Sequence, residues 1–403
     1  MPRVVESSVE LVVNGAAAYS RGGKFQIPFN NVSPLAGGNP TSIVGILLNL
    51  TVGMAHGNVA PVTLPEEIAF RILDRLDLRV PKGHVFLDLA EQAGWVLRCL
   101  RWPMEGRRPQ SQGDVSLTNG VTTTFRVPIY VPFMLKDGIE PDDVNVQLEA
   151  LKNSQLEGQW CDGGDPAGGG GGIFDTGADN EHIVSATLEA SIDLISRDEL
   201  MRGNPYFSIV SQKLNGLNER LPITDKVLHF LVEWPLLADN SLAVNRITAA
   251  ERDRFKFVVD GFVWVDNEKV SRLNRRWTDV HSNARAEDLP HHEGNASPHV
   301  VLFQPHRNPY KISQLPAPMK DPQTRFTGTD ATPRVVWYTT ALHNEARVID
   351  AINTVLGDDK PEGFDQAPAA FISNKTASKA DPVYNRDGAQ RLPFKVHRKV
   401  LQA

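Results

Sequence analysis

Cysteine is nearly absent: only Cys99 and Cys161 occur in 403 residues. Two thiols outside any CxxC pair exclude a disulfide scaffold. Cys99 sits in a segment that reads as an apolar strand and is taken as a buried apolar residue; Cys161, beside a glycine-rich stretch, reads as incidental, and a disulfide between the two is left open. No run of roughly 18 apolar residues occurs, so no segment reads as a helix that spans a bilayer. The opening stretch MPRVVESSVELVVNGAAAYS lacks the apolar core and cleavage pattern of a secretory signal. Synthesis and folding in the cytoplasm are expected. An excess of base is missing too: the net charge of -6 argues against a nucleic-acid coat, which displaces counterions with a basic surface. The basic pairs Arg107-Arg108 and Arg275-Arg276, the latter beside Trp277, read as solvated loop charge.

Catalytic and metal motifs are equally scarce. His281, His291, His292, His299 and His306 crowd together, yet His292-Glu293 is followed by Gly294, Asn295 and Ala296, so the second histidine of HExxH is missing. Pro290 and Pro298 also break any helix there, and these residues read as loop histidines. The glycines Gly168 to Gly172 are followed by Ile173-Phe174-Asp175, where a phosphate loop needs Lys and a hydroxyl. Asp162, Asp165, Asp175 and Asp179 would repel phosphate, and their spacing is not that of an EF-hand, so a solvated linker is favoured over a calcium site. There is no GxSxG elbow. Carboxylate pairs such as Asp142-Asp143 lie in turns, where Asp serves the backbone. No catalytic, cofactor-binding or metal residue is nominated and no cofactor is expected.

What the chain does have is alternation. With 41% hydrophobic and 22% charged residues it has an ordinary globular composition, and 28 prolines favour turns and long loops over helical bundles. Residues 1 to 20 fit neither period and read either as a terminal arm or as an edge strand. Ile43 to Val52 alternates as a buried strand, and Ile68 to Val80 alternates against Arg71, Arg75, Asp77 and Arg79 as a sheet wetted on one face, with Asp74 marking a bend or a break between two strands. Val85 to Leu89 and the segment opened by Gly94-Trp95 read as strands. Thr123 to Phe133 carries Pro128 and Pro132, which exclude a central, fully paired strand. Val144 to Ala150 closes a first half of about eight strand candidates with scarcely any helix, a count that suits a β-sandwich.

After the glycines the pattern restarts with Val184 to Leu194, then Leu228 to Trp234, Phe255 to Val259, Phe262 to Val265, Val300 to Phe303, Val335 to Tyr338 and, weakly, Ala370 to Ser373. The loops 267–298 and 304–333 are long enough to be interaction surfaces. Asn344 to Leu356 has helical spacing, with Gly357 as its stop. Between the halves, Cys161 to Glu181 reads as a flexible connector.

Tyr130-Val131-Pro132-Phe133 forms a strand end running into a corner, followed by an extended loop and the polar-alternating Val144 to Leu151. Together with Ile43 to Val52, Ile68 to Val80, Gly94-Trp95 and its following strand, and Glu181 to Ile195, this order of parts resembles the double jelly-roll major capsid proteins of the tectivirus and adenovirus lineage. The likeness spans most of residues 24 to 200. It implies an all-β fold of two consecutive eight-stranded antiparallel jelly rolls, each a β-sandwich, with long loops and one or two short helices. The implied division is an N-terminal arm over 1–23, a first jelly roll over 24–160, a Gly-rich linker over 161–181, a second jelly roll over 182–374 and a C-terminal tail over 375–403. The implied function is that of a major capsid protein in the virion of a tailless icosahedral virus with a bacterial host. It would form a homotrimer whose six jelly rolls make a pseudo-hexagonal capsomer. Its partners would be neighbouring capsomers and minor capsid or vertex proteins, with no specific nucleic acid. Contact with an internal membrane through the N-terminal arm is left open, because residues 1 to 20 do not read as an amphipathic helix. Trp277, Tyr310 and Trp337 would either meet a neighbouring subunit or cover their own core. Two alternatives stand beside this reading: a two-domain β-sandwich that binds or cleaves carbohydrate, and a minor capsid or vertex protein.

Overall fold

The computed structural model describes residues 4–36, 40–57, 62–64, 66–80, 84–105, 115–135, 144–164, 181–197, 206–223, 226–233, 252–270, 272–273, 301–303, 319–329 and 332–341. In chain order the first half contributes β1 (Val4–Leu11), β2 (Asn14–Gly15), β3 (Lys24–Pro28), β4 (Thr41–Ala55), β5 (Val62–Leu64), α1 (Glu66–Phe70), β6 (Leu73–Arg79) and β7 (Val85–Leu89). It continues with α2 (Ala93–Glu105), β8 (Val115–Leu117), β9 (Thr123–Pro132), β10 (Met134–Leu135), β11 (Val144–Gln147), a 3-10 turn (Leu148–Leu151) and β12 (Gln155–Trp160). The second half adds β13 (His182–Arg197), β14 (Phe207–Lys213), β15 (Asn218–Arg220), β16 (Lys226–Glu233) and β17 (Arg254–Val259). Then come β18 (Phe262–Lys269), β19 (Val301–Phe303), β20 (Gln323–Thr327) and β21 (Arg334–Ala341).

Three larger sheets result, besides the pair β5-β8. In the first, β4 lies between β13 on one side and β9 and β11 on the other, and β1 covers the far edge of β13. Ile46, Leu48, Leu50, Val52 and Met54 follow the period of two along β4 and are wholly buried. Among the described strands the proline-bearing β9 pairs with β4 alone, as its missing donors require. Residues 4–11, open between arm and edge strand on sequence grounds, form the edge strand.

The second sheet has nine strands in the order β19-β16-β21-β14-β7-β6-β12-β3-β2 and runs through both halves. Among the described residues its one parallel contact is β7 with β14, over Leu87↔Ile209 and Asp88↔Val210. The third sheet, β15-β20-β17-β18, comes entirely from the second half. Its side chains Phe255, Phe257, Val259 and Phe326 form a second core with Leu228, Leu231, Val335 and Trp337 of the nine-stranded sheet. The alternate residues Phe230, Val232, Val336 and Tyr338 belong to the first core instead. Strand β21 is thus buried on both faces, which is why Val335-Val336-Trp337-Tyr338 reads as an unbroken apolar run. Trp337 accordingly covers its own core and is 1% exposed.

Several expectations are corrected. The segment from Ile68 is broken, but not into two strands: it starts in the short helix α1, turns at Arg71 and Ile72, and only then enters β6. Arg71 is buried rather than wetted. The stretch opened by Gly94-Trp95 is α2, so Cys99 lies in a helix; Ala93, Val96, Leu97 and Leu100 are buried at helical spacing. Asp74 marks no bend of its own, and its Oδ1 accepts the Gln92 N–H at 3.2 Å just before α2. Burial pushes the Asp74 carboxyl above the usual range, against that hydrogen bond.

The connector from Cys161 is packed at its described ends. Cys161 is a free, buried thiol whose N–H donates to the Ile72 carbonyl at 3.0 Å and whose carbonyl accepts the Gly22 N–H at 3.3 Å. Gly163 donates to the Tyr19 hydroxyl at 2.8 Å and accepts the Ile183 N–H at 2.8 Å. A Cβ on Gly163 would lie 2.7 Å from Ile183 Cδ1 and also strike the Tyr19 hydroxyl. Replacing Gly163 by Ala is therefore expected to cost roughly 1–3 kcal/mol through overpacking. The denaturant midpoint of the full chain measures this; an unchanged midpoint would return the segment to a free tether. Residues 165–180, with Gly168 to Gly172, lie outside the described residues.

Candidate assembly site

The halves meet through β13, which pairs with β4 and β1 in the first sheet, and again along β7 and β14 of the nine-stranded sheet, where two parallel residue pairs alone would hold weakly. Aromatic packing supplies the rest. Phe207, at the start of β14, lies 5.2 Å from Phe86, 5.2 Å from Phe133 in an edge contact, and 5.6 Å from Tyr338 in a stack. Tyr338 stacks in turn on Phe230 at 5.1 Å. Each buried ring contributes roughly 1.5–3 kcal/mol, and the pair geometry adds to it. Polar bonds fix the register: His84 Nε2 donates to the Phe207 carbonyl at 2.8 Å, and the Ser208 hydroxyl donates to the Val85 carbonyl at 2.6 Å. Burial raises the Tyr338 phenol well above its ordinary value, so it stays neutral.

A second tie joins the nine-stranded sheet to the four-stranded one. Arg252, just before β17, donates through Nε to Glu233 Oε1 at 2.6 Å, and the two side chains are 1% and 3% exposed. The guanidinium also lies over the Phe326 ring, 5.2 Å from its centre.

The third tie is the N-terminal stretch, which runs along β13 as far as the Ala18↔Thr187 bridge. The Trp160 indole donates to the Ala16 carbonyl at 2.7 Å, and Tyr19 meets that ring edge-on at 6.1 Å. Burial pushes the Tyr19 phenol up to about 12 and raises the Cys161 thiol, which leaves that cysteine inert. Arg21 and Asp162 pair at 2.7 Å on the surface, where such a pair contributes little.

The outward surfaces differ in character. On β6 and β7, Asp77 accepts from Arg75 at 2.8 Å and Arg79 at 3.0 Å, and Arg79 reaches Asp88 at 3.3 Å, a mixed-charge face on the nine-stranded sheet. The edge strand β1 exposes Glu6, Ser7, Ser8 and Glu10, the charged kind of edge that resists indiscriminate pairing. The hairpin β17-β18 turns through Asp260 (φ +53°) and Gly261 (φ +79°), the pattern of a type I′ turn. It presents Phe262, 73% exposed, and Val263, 48% exposed.

Of the residues weighed on sequence grounds, the five loop histidines, Asp165, Asp175, Asp179, the pairs Arg107-Arg108 and Arg275-Arg276, Trp277, Tyr310, the helix over Asn344 to Leu356 and the tail lie outside the described residues. Among the described residues no three His, Cys, Asp or Glu side chains converge as a metal would require, and no helix is long and apolar enough to cross a membrane. Sequence reading missed Glu233 and Arg252 as partners, and missed the strand that carries Phe207.

Two β-sandwich halves in one chain, sharing a continuous sheet, have the architecture of a double jelly roll, and solved structures of that class match nearly end to end. The atomic structure of Sulfolobus Turreted Icosahedral Virus includes a chain matching at TM-score 0.55 and 9% identity, over 93% of this chain and 97% of that one. The crystal structure of that virus's major capsid protein matches at TM-score 0.52 and 9% identity, over 84% and 97%. The major capsid protein P2 of bacteriophage PM2 gives TM-score 0.46 and 11% identity, over 84% and 99%. No protein-family model and no curated protein sequence matches the chain.

Proposed function

We propose that this chain is the major capsid protein of a tailless icosahedral virus. The observation that carries the reading is the match in fold along almost the whole length of both chains to the capsid protein of Sulfolobus Turreted Icosahedral Virus. In this reading the two jelly rolls are 24–160 and 182–374, with β13 contributed to the first-half sheet. Three copies make a capsomer with six lobes, which packs against other capsomers and against minor or vertex proteins. Its location is the virion, and a bacterial host is part of the proposal. Membrane contact by residues 1–23 is not, since β1 and the stretch to Tyr19 are paired along β13.

The role is structural rather than enzymatic in this proposal. Size-exclusion chromatography with light scattering tests it: the full chain is expected as a stable trimer near three times 44.5 kDa. A strict monomer at micromolar concentration would count against a capsomer, and turnover of a polysaccharide would replace the proposal with the carbohydrate reading.

A further inference from the structure

The chain contains three Asn-Gly pairs, Asn14-Gly15, Asn119-Gly120 and Asn215-Gly216. In such a pair the glycine nitrogen can attack the preceding carboxamide, because glycine has no Cβ to block the approach and its backbone turns freely. Attack also needs a backbone free to turn and an N–H free of a partner, so the fold discriminates among the three. The Asn14-Gly15 backbone is held extended in the ladder of β2 with β3, opposite Gln26 and Phe25, and is too close-packed to turn: a Cβ on Gly15 would lie 2.8 Å from the Lys24 carbonyl oxygen. Gly120 donates to the His56 carbonyl at 3.3 Å, in a turn closed by Val121 donating to the Thr118 carbonyl at 3.1 Å.

Asn215-Gly216 differs from both. It lies in the irregular stretch between β14 and β15, with Asn215 exposed. The Gly216 N–H has no partner among the described residues, and, as at Gly120, nothing comes within 4 Å of a Cβ built on it. The Asn215 backbone N–H donates to Glu219 Oε2 at 2.6 Å, whereas its carboxamide reaches Glu219 Oε1 only at 3.4 Å, longer than a good hydrogen bond.

We infer that Asn215 is the site at which the folded chain modifies itself by deamidation. The Gly216 nitrogen attacks Asn215 Cγ, a new C–N bond forms, and the carboxamide C–N bond breaks. Ammonia leaves with the proton that the Gly216 nitrogen gives up, and the product is a succinimide. Water then opens the ring to aspartate or isoaspartate, with no oxidant or reductant involved. The new carboxylate stands beside Glu219, so a loose amide–carboxylate contact becomes a like-charge one at the entry to β15. That strand is an edge held to β20 by three residue pairs, so conversion loosens the rim of the four-stranded sheet.

The test is peptide mapping by mass spectrometry of the full chain, held native at mildly alkaline pH and, in parallel, in denaturant. In denaturant the three sites should convert at comparable rates. In the native protein Asn215 should convert several-fold faster than Asn14 and Asn119, and Gly216→Ala should slow it several-fold. If folding protects Asn215 as much as the other two, or if either of them converts faster in the native state, the inference fails.

Discussion

Phe207→Ala is expected to destabilise the full chain by roughly 3–5 kcal/mol, the range for removing a wholly buried aromatic ring from a core. Phe207 has no exposed surface and touches rings from both halves, Phe86 and Phe133 on one side and Tyr338 on the other. Its loss opens a cavity at the place where only two backbone pairs join β7 to β14. Urea unfolding followed by fluorescence measures the change. A loss of stability shared by all probes in one transition shows that the halves unfold together; two separated transitions would mean that the seam is dispensable to each half. Phe262→Ala, on the exposed hairpin, is the internal contrast and should shift folding stability by less than about 0.5 kcal/mol.

The second large effect concerns Glu233 and Arg252. Glu233→Ala leaves a buried guanidinium without its carboxylate and is expected to cost roughly 3–5 kcal/mol. Removing both charges should cost much less: the pair Glu233→Leu with Arg252→Met restores apolar packing and is expected within about 1–2 kcal/mol of the parent, or above it. A double variant as damaged as the single would show that the two do not act as a pair. Arg252→Lys separates charge from shape, since lysine keeps the charge but lacks the flat group lying over Phe326.

How far the fold was legible depends on how much of each element's reason is local. Strands with one wetter face, such as β17, announce themselves by alternation, and β4, β13, β16 and β21 by length or by an apolar run. Strand β12, Gln155-Leu156-Glu157-Gly158-Gln159-Trp160, alternates too, but glycine at one inward position hides it. That glycine is required because the Phe25 ring occupies the space where its Cβ would go. Strands β14 and β20 are short and partly polar, and their burial comes from neighbours far along the chain. In α2 the run Trp95-Val96-Leu97 is apolar at every position, so neither period stands out and strand is the natural reading.

The seam between the halves was less legible for the same reason. Phe86, Phe133, Phe207 and Tyr338 come from four separate stretches, and nothing in any one of them names the others. No local pattern says that β13, the first strand after the glycines, joins the sheet of β4 rather than starting a sheet of its own. Only the pairing His182↔Ala55 to Ser196↔Thr41 reveals it. Glu233 and Arg252 likewise look like ordinary surface charges until the sheets that carry them are stacked.

The central claim is that this chain builds capsomers, and electron microscopy of the purified full-length protein tests it most directly. The account predicts uniform trimers with a six-lobed, roughly hexagonal outline, two lobes to a subunit. Monomeric particles, or closed oligomers without pseudo-sixfold outline, would contradict it.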